Sequence, residues 1–133
     1  MKSILTLIVV LTAATLTFGQ TPEELADLQL NGYNNRDIET FLSAYSDSVK
    51  VYNFPATLLY TGKENMRKRY SDMFDKMPDL HCELVNRIVE GHTVIDHENV
   101  TFDKSKPTMR AIAIYKVSEG KIQEVYFIVE RPQ

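Results

Sequence analysis

The chain has 133 residues, with 15 Lys and Arg against 18 Asp and Glu, for a formal net charge of −3. That is one domain's length, and the acidic balance excludes a nucleic-acid binder, which needs a basic face to neutralise phosphates. Cys82 is the only cysteine, so no internal disulfide forms and stability must come from a packed core.

Met1-Lys2 is a short positive start, Ile4 to Ala14 an almost purely apolar run, and Thr15 to Gly19 a small-residue tail. The apolar run is short for a bilayer span and no stop-transfer pattern follows. This is the layout of a secretory signal peptide over residues 1–19, with the mature domain over 20–133. It implies a periplasmic or secreted protein with no membrane association after cleavage. Removing Lys2 moves the net charge from −3 to −4.

Thr21-Pro22-Glu23-Glu24 reads as a helix start: Thr as cap, Pro in the first turn, acids at the positive end of the dipole. Leu25, Leu28 and Gly32 follow at helical spacing. A second helix, with Asp37 as candidate cap, carries Ile38, Phe41, Leu42 and Tyr45 on one buried stripe. Val49 to Phe54 predicts a short strand, entered through a Ser46-Asp47-Ser48 corner. A third helix starts after Thr61-Gly62, buries Met66, Tyr70, Met73, Phe74 and Met77, turns Arg67-Lys68-Arg69 to solvent, and stops at Pro78.

From Leu80 the period changes to two. Strands are predicted over 80–90, 93–102, 109–117 and 121–129, with Gly91 and Ser118-Glu119-Gly120 as turns. Helices first and antiparallel strands last make an α+β domain, the helices covering one face of a curved sheet. The other face is apolar too. Ile112 and Ile114 oppose Ala111, Ala113 and Tyr115. Ile122, Tyr126 and Ile128 oppose Val125, Phe127 and Val129. An open sheet face would alternate with polar residues. The expectation is a homodimer through Ile112, Ile114, Tyr126 and Ile128.

The element order, with AYSDSVKVYNFP, TGKENMRKRYSDMF and SEGKIQEVYFIVE, resembles the nuclear transport factor 2-like superfamily, and within it the SnoaL-like group of polyketide cyclase and ketosteroid isomerase relatives. The resemblance spans nearly all of the mature chain. It implies a cone-shaped curved sheet, of cystatin-like α+β roll type, wrapped around three helices and open to an apolar pocket. On that alignment Tyr52 and Phe54 face the inside. Ketosteroid isomerase chemistry needs an aspartate base, a tyrosine donor and a protonated aspartate. The corresponding positions fall on Phe54, Gln29 and Ala113. Neither Phe54 nor Ala113 can move a proton, so that mechanism is rejected.

The polar stretch that remains is Asp96-His97-Glu98. Alternation puts Asp96 and Glu98 on one face and His97 on the other, which rules out a compact triad. The alignment turns the two carboxyls inward. Two carboxyls in an apolar pocket raise at least one pKa, as general acid–base work near neutral pH requires. The alternatives are a salt bridge to Arg87 or Arg110, solvent exposure, or a register in which His97 enters instead. Cys82 reads as a buried structural thiol. Asn99-Val100-Thr101 is formally a glycosylation sequon, but it lies mid-strand.

The candidate catalytic residues are therefore Asp96, Glu98 and His97. The candidate pocket residues are Gln29, Tyr52, Phe54, Tyr115 and Phe127. No metal or cofactor is implied. The expected function is to bind a small apolar or aromatic molecule. The chain is either a cofactor-independent isomerase, cyclase, dehydratase or hydrolase, or a carrier without chemistry.

Overall fold

The computed structural model describes residues 19–130, so the signal peptide read in the sequence lies, except for Gly19, outside the described residues. Helix α1 spans Pro22–Asn35. Its start is a capping box: the Thr21 hydroxyl accepts from the Glu24 N–H at 3.1 Å, and the Glu24 carboxylate accepts from the Thr21 N–H at 2.8 Å. Two otherwise orphaned donors are thereby satisfied. The helix ends at Arg36, which takes a left-handed conformation (φ 53°). The Arg36 guanidinium donates to the carbonyls of Met77, Pro78 and Leu80, fastening the end of α1 to a distant loop.

Helix α2 spans Ile38–Ser43, capped by the Asp37 side chain on the Thr40 N–H at 3.1 Å. It is shorter than its apolar stripe suggests. Tyr45 belongs to strand β1, Tyr45–Asn53, and the corner sits at Ala44, ahead of Ser46-Asp47-Ser48. The reason is a competing backbone partner: the Ala44 carbonyl accepts from the Ile122 N–H at 2.9 Å, drawing the chain into the sheet. Strand β2, Thr57–Thr61, was not expected from the sequence. All of its residues except Tyr60 are exposed, so it carries no alternation to read. Helix α3 spans Lys63–Lys76 and buries Met66 and Phe74. Tyr70, Met73 and Met77 pack beside them against the core.

Strands β3 (His81–Glu90), β4 (Thr93–Thr101), β5 (Met109–Ser118) and β6 (Lys121–Glu130) form the meander. The sheet has six strands in the order β2-β1-β6-β5-β4-β3. Every neighbouring pair is antiparallel except β1 with β6. The helices lie on the inner face, where Leu25, Ala26, Phe41 and Leu42 meet Val49, Val51, Val94, Ala113 and Val125. Phe41 anchors the aromatic part of this core, its ring centroid 4.4 Å from Tyr70 and 5.1 Å from Tyr45.

Two bulges set which side chains face inward. On β3 the register shifts between Leu84 and Asn86, so Val85 is the extra residue. Cys82 and Leu84 face in before it, and Arg87 faces in after it, which unbroken alternation would forbid. On β6 the register shifts at Gln123, so Ile122 lies inside, fully buried, with Val125. The sequence grouping of Ile122 with Tyr126 and Ile128 is therefore corrected. The outer face carries one apolar row across all strands, Leu58, Tyr52, Tyr126, Ile114, Ile95 and Ile88, each paired in register with the next. Ile112 and Ile128 lie alongside.

Where α1 crosses α2, a Cβ on Gly32 would lie 2.3 Å from the Phe41 backbone nitrogen and 2.6 Å from its Cα. Backbone cannot swing aside. Gly32→Ala is expected to destabilise by on the order of 3 kcal/mol, despite the better helix propensity of Ala. Urea denaturation checks it, and an unchanged or raised midpoint would contradict the packing described.

Candidate functional site

Strand β4 alternates without a break: Val94, Asp96, Glu98 and Val100 are buried, and Ile95, His97 and Asn99 are half-buried on the other side. Two acids thus enter an apolar interior, Asp96 at 0% and Glu98 at 6% exposure. Such a position is costly for a charge unless it is paired.

Among the described residues only Asp96 of the two has a cationic partner. Arg87, opposite it on β3, donates Nε to Oδ1 at 2.6 Å and Nη2 to Oδ2 at 2.9 Å, the bidentate geometry that suits a guanidinium best. The remaining nitrogen, Nη1, reaches Asp27 of α1 at 2.5 Å. The Asp96 hydrogen bonds hold the Arg87 guanidinium even more firmly protonated than usual. Of the two partners considered from the sequence, Arg87 is the one used. Arg110 lies exposed on the outer face.

Among the described residues Glu98 has no such partner. Its carboxyl is pushed up from 4.5 to about 7, first by burial and then by the negative charge of Asp96. Hydrogen bonding by Cys82 and Tyr115, and the charge of Arg87, pull the other way. The Tyr115 hydroxyl donates to Glu98 Oε1 at 3.4 Å. Behind it stands Gln29, whose Nε2 lies 3.0 Å from the Tyr115 oxygen, and behind that Tyr45, whose hydroxyl donates to Gln29 Oε1 at 3.1 Å.

Glu98, Gln29, Tyr115 and Phe127 line a cavity of about 260 Å³ between the helices and the sheet. The other walls are largely apolar and aromatic, among them Tyr33, Phe41, Tyr70, Met73 and Phe102. The exposed residues Asn53, Leu59 and Val129 form its rim. Burial raises the Tyr45, Tyr70 and Tyr115 phenols well above their usual range and pushes the Cys82 thiol up as well. These groups stay protonated at neutral pH, and a thiol so placed is a poor nucleophile.

Four of the sequence-predicted residues do not line the cavity: Asp96, buried in its pair with Arg87, and three that lie elsewhere. Phe54 is 55% exposed, and Tyr52 stacks on Tyr126 on the outer face, centroids 4.7 Å apart. The phase of β1 is the opposite of the one inferred. Val49 and Val51 take the inner positions because they bury completely against the helices, and this sends Asn53, not Phe54, to the cavity. His97 lies on the outer face in a shallow groove with Arg110 and Ile112, away from the two acids. Sequence reasoning missed Tyr33, which stands one turn beyond Gln29 on α1, and Cys82 as a wall residue beside Glu98. The i, i+4 spacing of Gln29 and Tyr33 was the available signal. Among the described residues no three His, Cys, Asp or Glu side chains converge on a point that could hold a metal ion.

The SnoaL-like domain family matches residues 28–125. A search of curated proteins found no match. Among solved structures, an uncharacterized cystatin fold protein from Novosphingobium aromaticivorans is 27% identical, with a TM-score of 0.75, over 83% of this chain and 99% of that one. An NTF2-like protein of unknown function from Cytophaga hutchinsonii has a TM-score of 0.71 at 14% identity, over 86% and 95% of the two chains. An LEH-like epoxide hydrolase of M. tuberculosis has a TM-score of 0.66 at 14% identity, over 82% of each chain. The last two likenesses bear on the fold alone.

Arg87→Leu leaves the Asp96 carboxylate buried without its cation. The expected loss is about 3–5 kcal/mol, largely recovered when Asp96→Leu is added, because an apolar pair replaces an ionic one. Paired urea denaturation curves check this. A single variant within about 1 kcal/mol of the parent would contradict the pairing described.

Proposed function

The chain belongs to the SnoaL-like domain family, and from that premise we propose that its cavity binds a small apolar or aromatic molecule and that Glu98 is the group that exchanges a proton with it. The reading is of a cofactor-independent acid–base enzyme of the isomerase, lyase or hydrolase type. Glu98 carries it. Among the described residues it is the only carboxyl on the cavity wall, and its shift to about 7 makes it the wall group that changes charge near neutral pH. A general acid–base works best when its pKa lies near the operating pH. Asp96 is assigned no proton-transfer role, because Arg87 engages both of its oxygens. His97 is assigned none either, since it lies on the opposite face of the sheet. The engagement of Asp96 also favours a second reading, a carrier in which the cavity holds its molecule unchanged.

The partner proposed for the outer face is a second copy of the chain. The outer face that carries Ile112, Ile114, Tyr126 and Ile128 would be covered in each subunit by the same face of the other, as an isologous contact requires. For a chain exported as its leader suggests, light scattering should give twice the mass of a chain beginning at Gln20, and Ile114→Glu should halve it. A parent protein that runs as a monomer would remove the dimer from the account.

The test of Glu98 is the pH dependence of stability. Its folded pKa is raised, so the neutral form is the one the fold prefers. Stability is therefore retained below the ordinary value of 4.5 and is lost as pH rises through about 7. Glu98→Gln, neutral at all pH, removes that loss. At pH 8 the variant should be more stable than the parent by on the order of 3 kcal/mol, with the difference vanishing near pH 4. Parallel denaturation series read it directly. Equal slopes for parent and variant would refute Glu98 as the titrating group.

A further inference from the structure

Charge does not balance around the cavity. Arg87 gives Nε and Nη2 to Asp96 and Nη1 to Asp27, so its donors are directed at two other acids and not at Glu98. Among the described residues no Lys, Arg or His lines the cavity. Glu98, only 6% exposed, therefore faces that space with no cation in contact. With Glu98 ionised, three carboxylates stand against one guanidinium, and a buried charge of that kind is costly until it is paired.

The carboxylate is nevertheless prepared on its protein side. Gln29 Nε2 lies 3.1 Å from the Ala26 carbonyl oxygen, which can only accept, so the nitrogen end of the amide faces Ala26 and Tyr115. The Tyr115 oxygen receives a hydrogen from Gln29 and directs its own proton to Glu98 Oε1. Cys82 hydrogen-bonds the same carboxyl, and both bonds favour the ionised form. What the carboxylate lacks is a positive charge, and the cavity is the side left open for one.

The walls narrow the kind of cation. Tyr33, Phe41, Tyr70, Tyr115 and Phe127 supply aromatic rings, which attract a cation lying over their faces. The Gln29 and Tyr115 oxygens already accept from Tyr45 and Gln29, so Glu98 is the acceptor that remains. A primary ammonium brings three N–H donors to it, and unmet donors in an apolar space are costly. A tertiary ammonium brings one, and its alkyl groups suit the rings. An anion would meet the negative charges of Glu98 and Asp96. At about 260 Å³ the cavity lies just below the usual range of small-molecule pockets, which calls for a compact molecule.

We infer that the cavity takes a compact aromatic tertiary amine, with the single N–H of its ammonium form on the Glu98 carboxylate and its alkyl groups against the aromatic walls. An amine that enters neutral takes the Glu98 proton: the O–H bond breaks, an N–H bond forms, and an ion pair results. This deepens the functional reading given above and rests on it.

The titratable or charged groups facing Glu98 are Tyr33 from α1, Tyr45 from β1, Tyr70 from α3, Cys82 and Arg87 from β3, Asp96 from β4 and Tyr115 from β5. Asp27 of α1 stands beyond Arg87. From α2 and β6 come Phe41 and Phe127, which do not titrate. The phenols and the thiol are raised by burial, Arg87 stays charged, and His97 lies across the sheet. Near neutral pH the change at the cavity is that of Glu98.

Four probes on one benzyl frame test the inference by calorimetry at pH 5.5 and 8.0: N,N-dimethylbenzylamine, benzylamine, benzyl methyl ether and phenylacetate. At pH 8.0 the tertiary amine should bind best of the four. It stays protonated over this range and pairs only with ionised Glu98. Its affinity should therefore rise roughly thirtyfold from pH 5.5 to 8.0 for a group titrating at about 7. In Glu98→Gln its binding at pH 8.0 should drop to the level of the ether, and ether binding should persist there, showing that the cavity is intact. Tighter binding of any other probe at pH 8.0, a tertiary-amine affinity that does not rise with pH, or undiminished amine binding in Glu98→Gln would overturn the inference while leaving the cavity as a binding site. Binding of none of the four would overturn the binding reading along with it.

Discussion

Two carboxyls are buried on one strand, and among the described residues a cation pairs with only one of them. Asp96 and Glu98 enter the same apolar interior because β4 alternates without interruption, and Arg87 reaches only the first of them. A buried pair with bidentate geometry can hold its charge, whereas a buried acid without a cation yields by keeping its proton. The chemistry of the two residues diverges at that point, although they are two positions apart and nearly identical in kind. Asp96 becomes part of the scaffold, tied through Arg87 to Asp27 on α1. Glu98 becomes the group whose state depends on the solution and on whatever shares its cavity.

The division depends on a small backbone irregularity. Without the extra residue at Val85, strict alternation from Cys82 and Leu84 would turn Arg87 to the outer face and leave both acids unpaired. Cys82 and Leu84, ahead of the bulge, face inward too, and Cys82 forms part of the cavity wall with Glu98. On the helical side, the close approach of Gly32 to the backbone of Phe41 brings α1 down onto α2 and sets the height of Gln29 and Tyr33 over the sheet. Capping at Thr21 and the left-handed turn at Arg36 then fix the length of α1. The hydrogen-bond chain from Tyr45 to Glu98 needs all of these placements, since it joins β1, α1, β5 and β4.

Much of the architecture was legible in the chain. The helix stripes, the caps at Thr21 and Asp37, the change of period at Leu80 and the Gly120 turn are local signals, and local signals survive into the fold. The failures share one physical origin. Phase along a strand is decided by what lies across the sheet, and bulges reset it. Hence Ile122 was put on the wrong side of β6, and Tyr52 and Phe54 on the wrong side of β1. Strand β2 escaped notice because an exposed edge strand has no buried face to impose alternation. At the site, the inward direction of Asp96 and Glu98 could be read because β4 has no bulge. Which acid would meet Arg87 could not, because that depended on Val85.

The central claim is that Glu98 is held as an acid with a midpoint near neutrality while its neighbour is not free to act. Carbon-13 NMR of the Glu98 side-chain carboxyl, followed across pH, measures this without any assumption about ligand or reaction. The account predicts a midpoint of about 7. A midpoint at the ordinary 4.5 would mean that the carboxyl is solvated or paired in a way the described geometry does not contain, and would contradict it.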